Sequence, residues 1–89
     1  MPTFSITVTG KVQGVFYRQS TREKANALGI TGEVRNLPNG NVHIVATGQL
    51  GSLQELVQWC KQGPPKARVE QVVIEQLDSE EFKGFKILR

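Results

Sequence analysis

Two stretches of the chain carry side chains suited to handling an anion. "GKVQGVFYRQS", residues 10–20, puts Gly10, Gly14 and Arg18 in a tight passage between a strand-like and a helix-like segment. "GEVRNLPNGNVHIVATG", residues 32–48, sets Gly32, Asn36, Gly40, Val42 and Gly48 around a hairpin, with Asn36 closing its first strand. A short loop at a helix start can converge its backbone N–H groups on an anion, and the passage between Gly10 and Arg18 could form such a loop. Arg18 would add a planar, permanently charged fork matched to phosphate oxygens. Gly14 would let the backbone approach a ligand closely. A neutral amide such as Asn36 can accept from an attacking water while donating to a phosphoryl oxygen. One small phosphoryl group suits this geometry better than a long polymer.

Each stretch alone also has an ordinary explanation. Glycine is common in strand-to-helix connections, arginine near helix starts, and asparagine before turns. Other phosphate chemistries fail on the residues themselves. The Gly-Lys-Ser/Thr ending of a nucleotide-binding loop is missing, and Gly-x-x-x-Gly is not the dinucleotide spacing. A thiol nucleophile would have to sit in the loop, whereas the single Cys60 falls on an apolar helical stripe and reads as core. One cysteine also excludes an internal disulfide framework and any multi-cysteine metal site.

The bulk properties are those of one small domain spanning residues 1–89. The net charge of +3 is mild, and the basic residues are scattered rather than blocked, so they read as a solvated surface. No apolar run approaches the ~20 residues needed to span a bilayer, and the N-terminus lacks a signal-peptide profile. A soluble cytoplasmic protein without a membrane partner is the expectation.

Several elements must position the two stretches. "TFSITVTG" alternates, with Phe4, Ile6 and Val8 on one face, as in a half-buried strand. A helix follows over about Tyr17–Leu28, with Tyr17, Thr21, Ala25 and Leu28 along one side. Gly29 stands where a left-handed cap is expected, with Ile30 free to pack back on the last turn. "ITGEVRN" and "NVHIVATG" read as a hairpin around "LPNG", where Asn39-Gly40 favours a tight turn with both central residues at positive φ. Val42, Ile44 and Ala46 share a face of the second strand, leaving His43 out of phase and facing solvent. Ser52 with Glu55 predicts a capping box for a second helix whose stripe is Leu53, Leu56, Val57 and Cys60. Trp59 flanks that stripe, and Gly63 with two prolines ends it. "ARVEQVVIEQL" is a strand whose alternation slips between Val69 and Val72, as at a bulge, and "FKGFKIL" is a short final strand.

The order predicts an α+β, ferredoxin-like βαββαβ sandwich. Both helices would cover one face of an antiparallel sheet, with a short extra C-terminal strand. This fold hosts many functions and selects none. RNA-recognition domains share its order but stack bases on exposed aromatics. "NVHIVATG" has no aromatic and Phe4 shares a face with core residues, which argues against a nucleic-acid partner.

Taken together, "VTGKVQGVFYR" and "GEVRNLPNGNVHIVATG" strongly resemble the two motifs of the acylphosphatases, small ferredoxin-like enzymes that hydrolyse carboxyl–phosphate bonds. The resemblance extends over essentially the whole chain, including the Gly-Pro after the second helix and the aromatic C-terminal strand. By position, it implies that Arg18 is the phosphate-binding arginine and Asn36 the water-orienting asparagine. It also implies that the backbone from Gln13 to Arg18 wraps the phosphate. A small acyl phosphate would be the substrate, phosphate or sulfate a ligand, and a monomer the working unit, with no metal and no cofactor. Two positions depart from the pattern. Tyr17 stands where Phe or Met is usual, its ring expected in the core with the hydroxyl at an edge. Glu33 replaces an aromatic and puts a negative charge near the hairpin.

The chemistry implied is coherent. The two stretches hold no Asp or Cys, and Glu33 is their only acid. An acyl phosphate expels a carboxylate whose conjugate acid has a pKa of about 4, so the leaving group needs little protonation. A positioned water could then attack without a covalent intermediate, since positioning and electrostatics supply most of phosphoryl-transfer catalysis. The alternative is a non-catalytic, anion-binding or regulatory domain of the same fold.

Overall fold

In a computed structural model, which describes residues 1–88, the chain runs β1 (Thr3–Lys11), α1 (Tyr17–Ala27), β2 (Thr31–Asn36), β3 (Val42–Thr47), α2 (Leu50–Gln62), β4 (Arg68–Leu77) and β5 (Phe85–Ile87). The sheet order is β4-β1-β3-β2-β5. Strand β1 lies antiparallel to both β3 and β4, as β2 does to β3, but β5 runs parallel to β2. The sheet is therefore mixed rather than wholly antiparallel. The register supplies the reason, because Leu77 at the end of β4 lies level with Thr3, Thr47 and Thr31. The chain thus leaves β4 at the end of the sheet where β2 begins, and crosses there to start β5 in the same direction.

Buried polar groups pin this crossing. Thr3 and Thr47 share a 2.7 Å hydroxyl–hydroxyl hydrogen bond, Glu80 N donates to Thr3 Oγ1 at 3.0 Å, and Thr47 Oγ1 donates to Glu80 O at 2.8 Å. At β5 the Gly32 N–H donates to Gly84 O at 3.0 Å and the Leu88 N–H to Val34 O at 2.8 Å.

Ile6, Val8, Val34, Val42, Ile44 and Ala46 are buried on the sheet face that both helices cover. Leu53, Leu56, Val57 and Cys60 of α2 and Tyr17, Thr21 and Ala25 of α1 complete the core, as their spacing predicts. Gly29 (φ 70) ends α1, and Ile30 N donates back to Ala25 O at 2.9 Å. The slip in β4 is a bulge: Thr9 faces Gln71 but Gly10 faces Val69, leaving Glu70 unmatched.

Four local expectations need correction. The hairpin loop is Pro38, Asn39 and Gly40, closed by Leu37 N to Asn41 O at 2.8 Å, and of these only Gly40 has positive φ. Pro38, with its fixed φ, centres the turn on Pro38–Asn39 and moves glycine one place on. No capping box forms, because α2 starts at Leu50 with Gln49 as a cap without a side-chain hydrogen bond. Ser52 thus lies inside the helix. The Tyr17 hydroxyl is not at an edge; it is buried and donates to Cys60 O at 2.7 Å. His43 is half-buried on the sheet's uncovered face rather than solvated, its Nε2 2.8 Å from Ser5 Oγ.

Candidate active site

Between β1 and α1 the chain must turn sharply while keeping Val12 and Val15 in the core. Both valines are buried, whereas Gln13 and Gly14 between them and Phe16 after them are not. Gly14 takes φ 73 and Phe16 φ 65. A Cβ at Gly14 would meet no atom within 4 Å, so it is the left-handed backbone rather than crowding that selects glycine. Phe16 is the one non-glycine residue at positive φ among the described residues, and its ring is 71% exposed. Helix α1 starts directly after it, with no capping side-chain hydrogen bond and no acidic residue in its first turn. Its leading N–H groups thus keep their anion-attracting character.

Gln13 straps this loop to the hairpin. Its Nε2 donates at 2.8 Å to the carbonyls of both Leu37 and Asn41, one at each side of the turn. The strap sits next to Asn36 in sequence, so it fixes the loop relative to that side chain. Such a cross-link follows from no local signal, since a glutamine in a loop is unremarkable by itself.

Arg18 and Asn36 come together in an open cavity of about 720 Å³, along with Gly14, Phe16 and Tyr17. The guanidinium is steadied from outside, Arg18 Nη1 donating to Leu88 O at 3.3 Å. The Asn36 Oδ1 is buried and has no hydrogen-bond partner among the described residues. A buried acceptor left unpaired costs about 1–3 kcal/mol, and such atoms are rare enough in folded proteins to call for a reason. Gln13 and Val15 do not line the cavity, the one acting as strap and the other as core anchor. Val12, Gln19 and Ile87 line it without having been singled out from the sequence. Ile87 arrives through the parallel pairing of β5, which places it opposite Val34.

The buried groups nearby are inert. Tyr17 packs its ring against Trp59, with centroids 5.4 Å apart, and its hydroxyl pKa is raised, chiefly by burial. Burial pushes the Cys60 thiol up to about 12, which keeps it protonated and non-nucleophilic. Glu33 alternates with the buried Val34, so it points to the sheet's uncovered face, away from the cavity. No three His, Cys, Asp or Glu side chains gather into a cluster among the described residues, and no helix there is long and apolar enough to cross a membrane.

The acylphosphatase family model matches residues 4–87. The chain belongs to the acylphosphatase family. It is 56% identical to an acylphosphatase of Rubrobacter xylanophilus over 71 residues, which make up 80% of this chain and 64% of that relative, so it spans a little under two thirds of that protein's length. It is 50% identical to the acylphosphatase of Acaryochloris marina over 92% of this chain and 88% of that one. The crystal structure of acylphosphatase from Bacillus subtilis superposes with a TM-score of 0.96 over the whole of both chains at 32% identity. The acylphosphatase fold therefore extends along the chain from β1 to β5, with Arg18 and Asn36 in one cavity of it.

Proposed function

We propose that this chain, an acylphosphatase acting on acyl phosphates, hydrolyses the carboxyl–phosphate bond with a water positioned by Asn36 and a phosphoryl group held by Arg18 and the backbone of residues 13–18. The observation that carries the reading is the buried, unpartnered Asn36 Oδ1 in the same cavity as Arg18. A carbonyl oxygen there can accept from a water. The loop's left-handed turns and the uncapped start of α1 present N–H groups suited to phosphoryl oxygens. Arg18 neutralises charge that spreads over those oxygens in a loose transition state.

Proton traffic needs no further side chain. The departing carboxylate is a good leaving group, and the attacking water gives up its proton late, to a phosphate oxygen of the substrate. Preorganised donors and in-line positioning then supply the acceleration, without a covalent intermediate, a metal or a cofactor. Inorganic phosphate, as product, and sulfate, as its analogue, bind in the same cradle. We read residues 1–89 as one such domain working as a cytoplasmic monomer, since both side chains of the site come from one chain.

The test is hydrolysis of benzoyl phosphate in excess EDTA by the wild type and by Asn36→Ala. Turnover that survives the chelator and collapses in the variant is the expected result. A well-folded wild type that binds phosphate without turning over benzoyl phosphate would replace this reading with a silent anion-binding domain.

A further inference from the structure

Phe16 places its side chain in a way that the phosphate cradle does not require. Its backbone is left-handed, a conformation disfavoured for a bulky residue, and its ring is 71% exposed, so burial offsets none of that strain. The neighbours on either side, Val15 and Tyr17, are both buried. The left-handed turn is thus what lifts this ring out of the core and sets it at the cavity. Among the residues lining that cavity, Phe16 is the one large apolar side chain left exposed. Strain at a functional loop together with an exposed aromatic at a cleft marks a contact surface.

The rest of the lining restricts what could meet it. Arg18 is the one charged side chain among the described residues that line the cavity, and the phosphoryl group occupies it. Among the described lining residues, no second cation meets an acyl portion. An apolar acyl portion would find the Phe16 ring and, deeper, the side chains of Val12 and Ile87.

We infer that Phe16 forms an acyl-group subsite that selects acyl phosphates with an apolar, aromatic or branched aliphatic acyl portion over small ones. The inference rests on the reading of residues 13–18 as the phosphoryl cradle and adds the determinant of substrate choice to it. The ring touches the acyl portion in the ground state and the transition state alike, so its contribution falls on KM rather than kcat.

The experiment compares kcat/KM for benzoyl phosphate with kcat/KM for acetyl phosphate in the wild type and in Phe16→Ala, Phe16→Asn and Phe16→Tyr. Asparagine tolerates the left-handed backbone and guards against misfolding. The ratio is expected to fall about tenfold in the alanine and asparagine variants, through KM for benzoyl phosphate, as suits the loss of one aromatic contact. The tyrosine variant should keep it. Turnover of both substrates with an unmoved ratio would overturn the subsite alone. Absence of turnover of either substrate by the wild type would overturn the hydrolytic reading and this inference with it.

Discussion

Two cavities of nearly equal size open on this molecule, of about 720 and 700 Å³. The first lies where the β1–α1 loop meets the β2–β3 hairpin. The second is a groove along α1 and α2, lined by Lys24, Glu55, Trp59 and the glutamines at 54, 58 and 62. Volume does not separate them, but their construction does. The first brings together a left-handed loop, an arginine, a buried amide oxygen without a partner and a strap that holds loop to hairpin. The glutamines of the second are spaced four apart along one exposed helix face, as any solvated helix surface can be. A site is recognised by what its walls leave unsatisfied rather than by the space they enclose.

That contrast can be broken most directly at Asn36 and Arg18. Asn36→Ala should lower kcat by at least ~10²–10³, the usual effect of removing one preorganised group. Arg18→Lys should fail comparably, because a point charge does not reproduce a bidentate fork; near-normal turnover by either folded variant would dissolve the distinction between the cavities. Next comes the strap. Gln13→Ala should cost about ten- to a hundredfold in kcat, as expected when a loop shifts relative to the group it works with. Steady-state kinetics on protein with a native thermal transition would show it.

A smaller effect, with the opposite sign for stability, is expected at Phe16. Phe16→Gly relieves the left-handed strain at the expense of added chain entropy, and should raise stability by up to about 1 kcal/mol in urea unfolding. Unchanged or lower stability would mean that the turn is not strained. In the second groove, Gln58→Ala and Lys24→Ala should leave kcat/KM within about twofold of wild type, as surface changes do. A large loss there would make the groove part of the catalytic unit.

The uncovered face of the sheet sets the lower bound. Burial lowers the His43 pKa, the Arg35 charge adds to this, and Glu33 opposes it. The folded state therefore binds the proton more weakly than the unfolded chain. The stability this contributes is full above the unfolded value of about 6.5 and fades as pH falls through the lower folded value. His43→Gln should flatten that acid limb in pH-dependent unfolding, with turnover little affected; an unaltered limb would remove His43 from the account.

Much of this is legible in the amino-acid sequence, for identifiable reasons. The stripes of α1 and α2 repeat at helical spacing, so the buried Tyr17, Thr21, Ala25, Leu53, Leu56, Val57 and Cys60 follow from periodicity. Gly29 follows from cap chemistry, and the bulge at Glu70 from broken alternation. What escaped depends on partners distant in sequence. Ser52 and Glu55 have the spacing of a cap, but the helix begins three residues earlier than that cap implies, at Leu50. Thr3 reads as a solvent-facing residue until Thr47 and Glu80 close over it. Arg18 and Asn36, expected from their motifs, line one cavity. The strap at Gln13, the wall at Ile87 and the left-handed Phe16 could not be expected from them, because each is defined by a long-range contact or a backbone angle that no short pattern encodes.

Tyr17 has a consequence for observing this protein at work. It lines the first cavity and also lies against the chain's single tryptophan, 5.4 Å from it between ring centroids. Trp59 in turn borders the second groove. The molecule thus carries a native fluorophore wired through one ring to its cradle and exposed along one side to the α1–α2 groove. Quenching by a solute in the groove and a spectral change on filling the cradle would be read from the same indole, without any label.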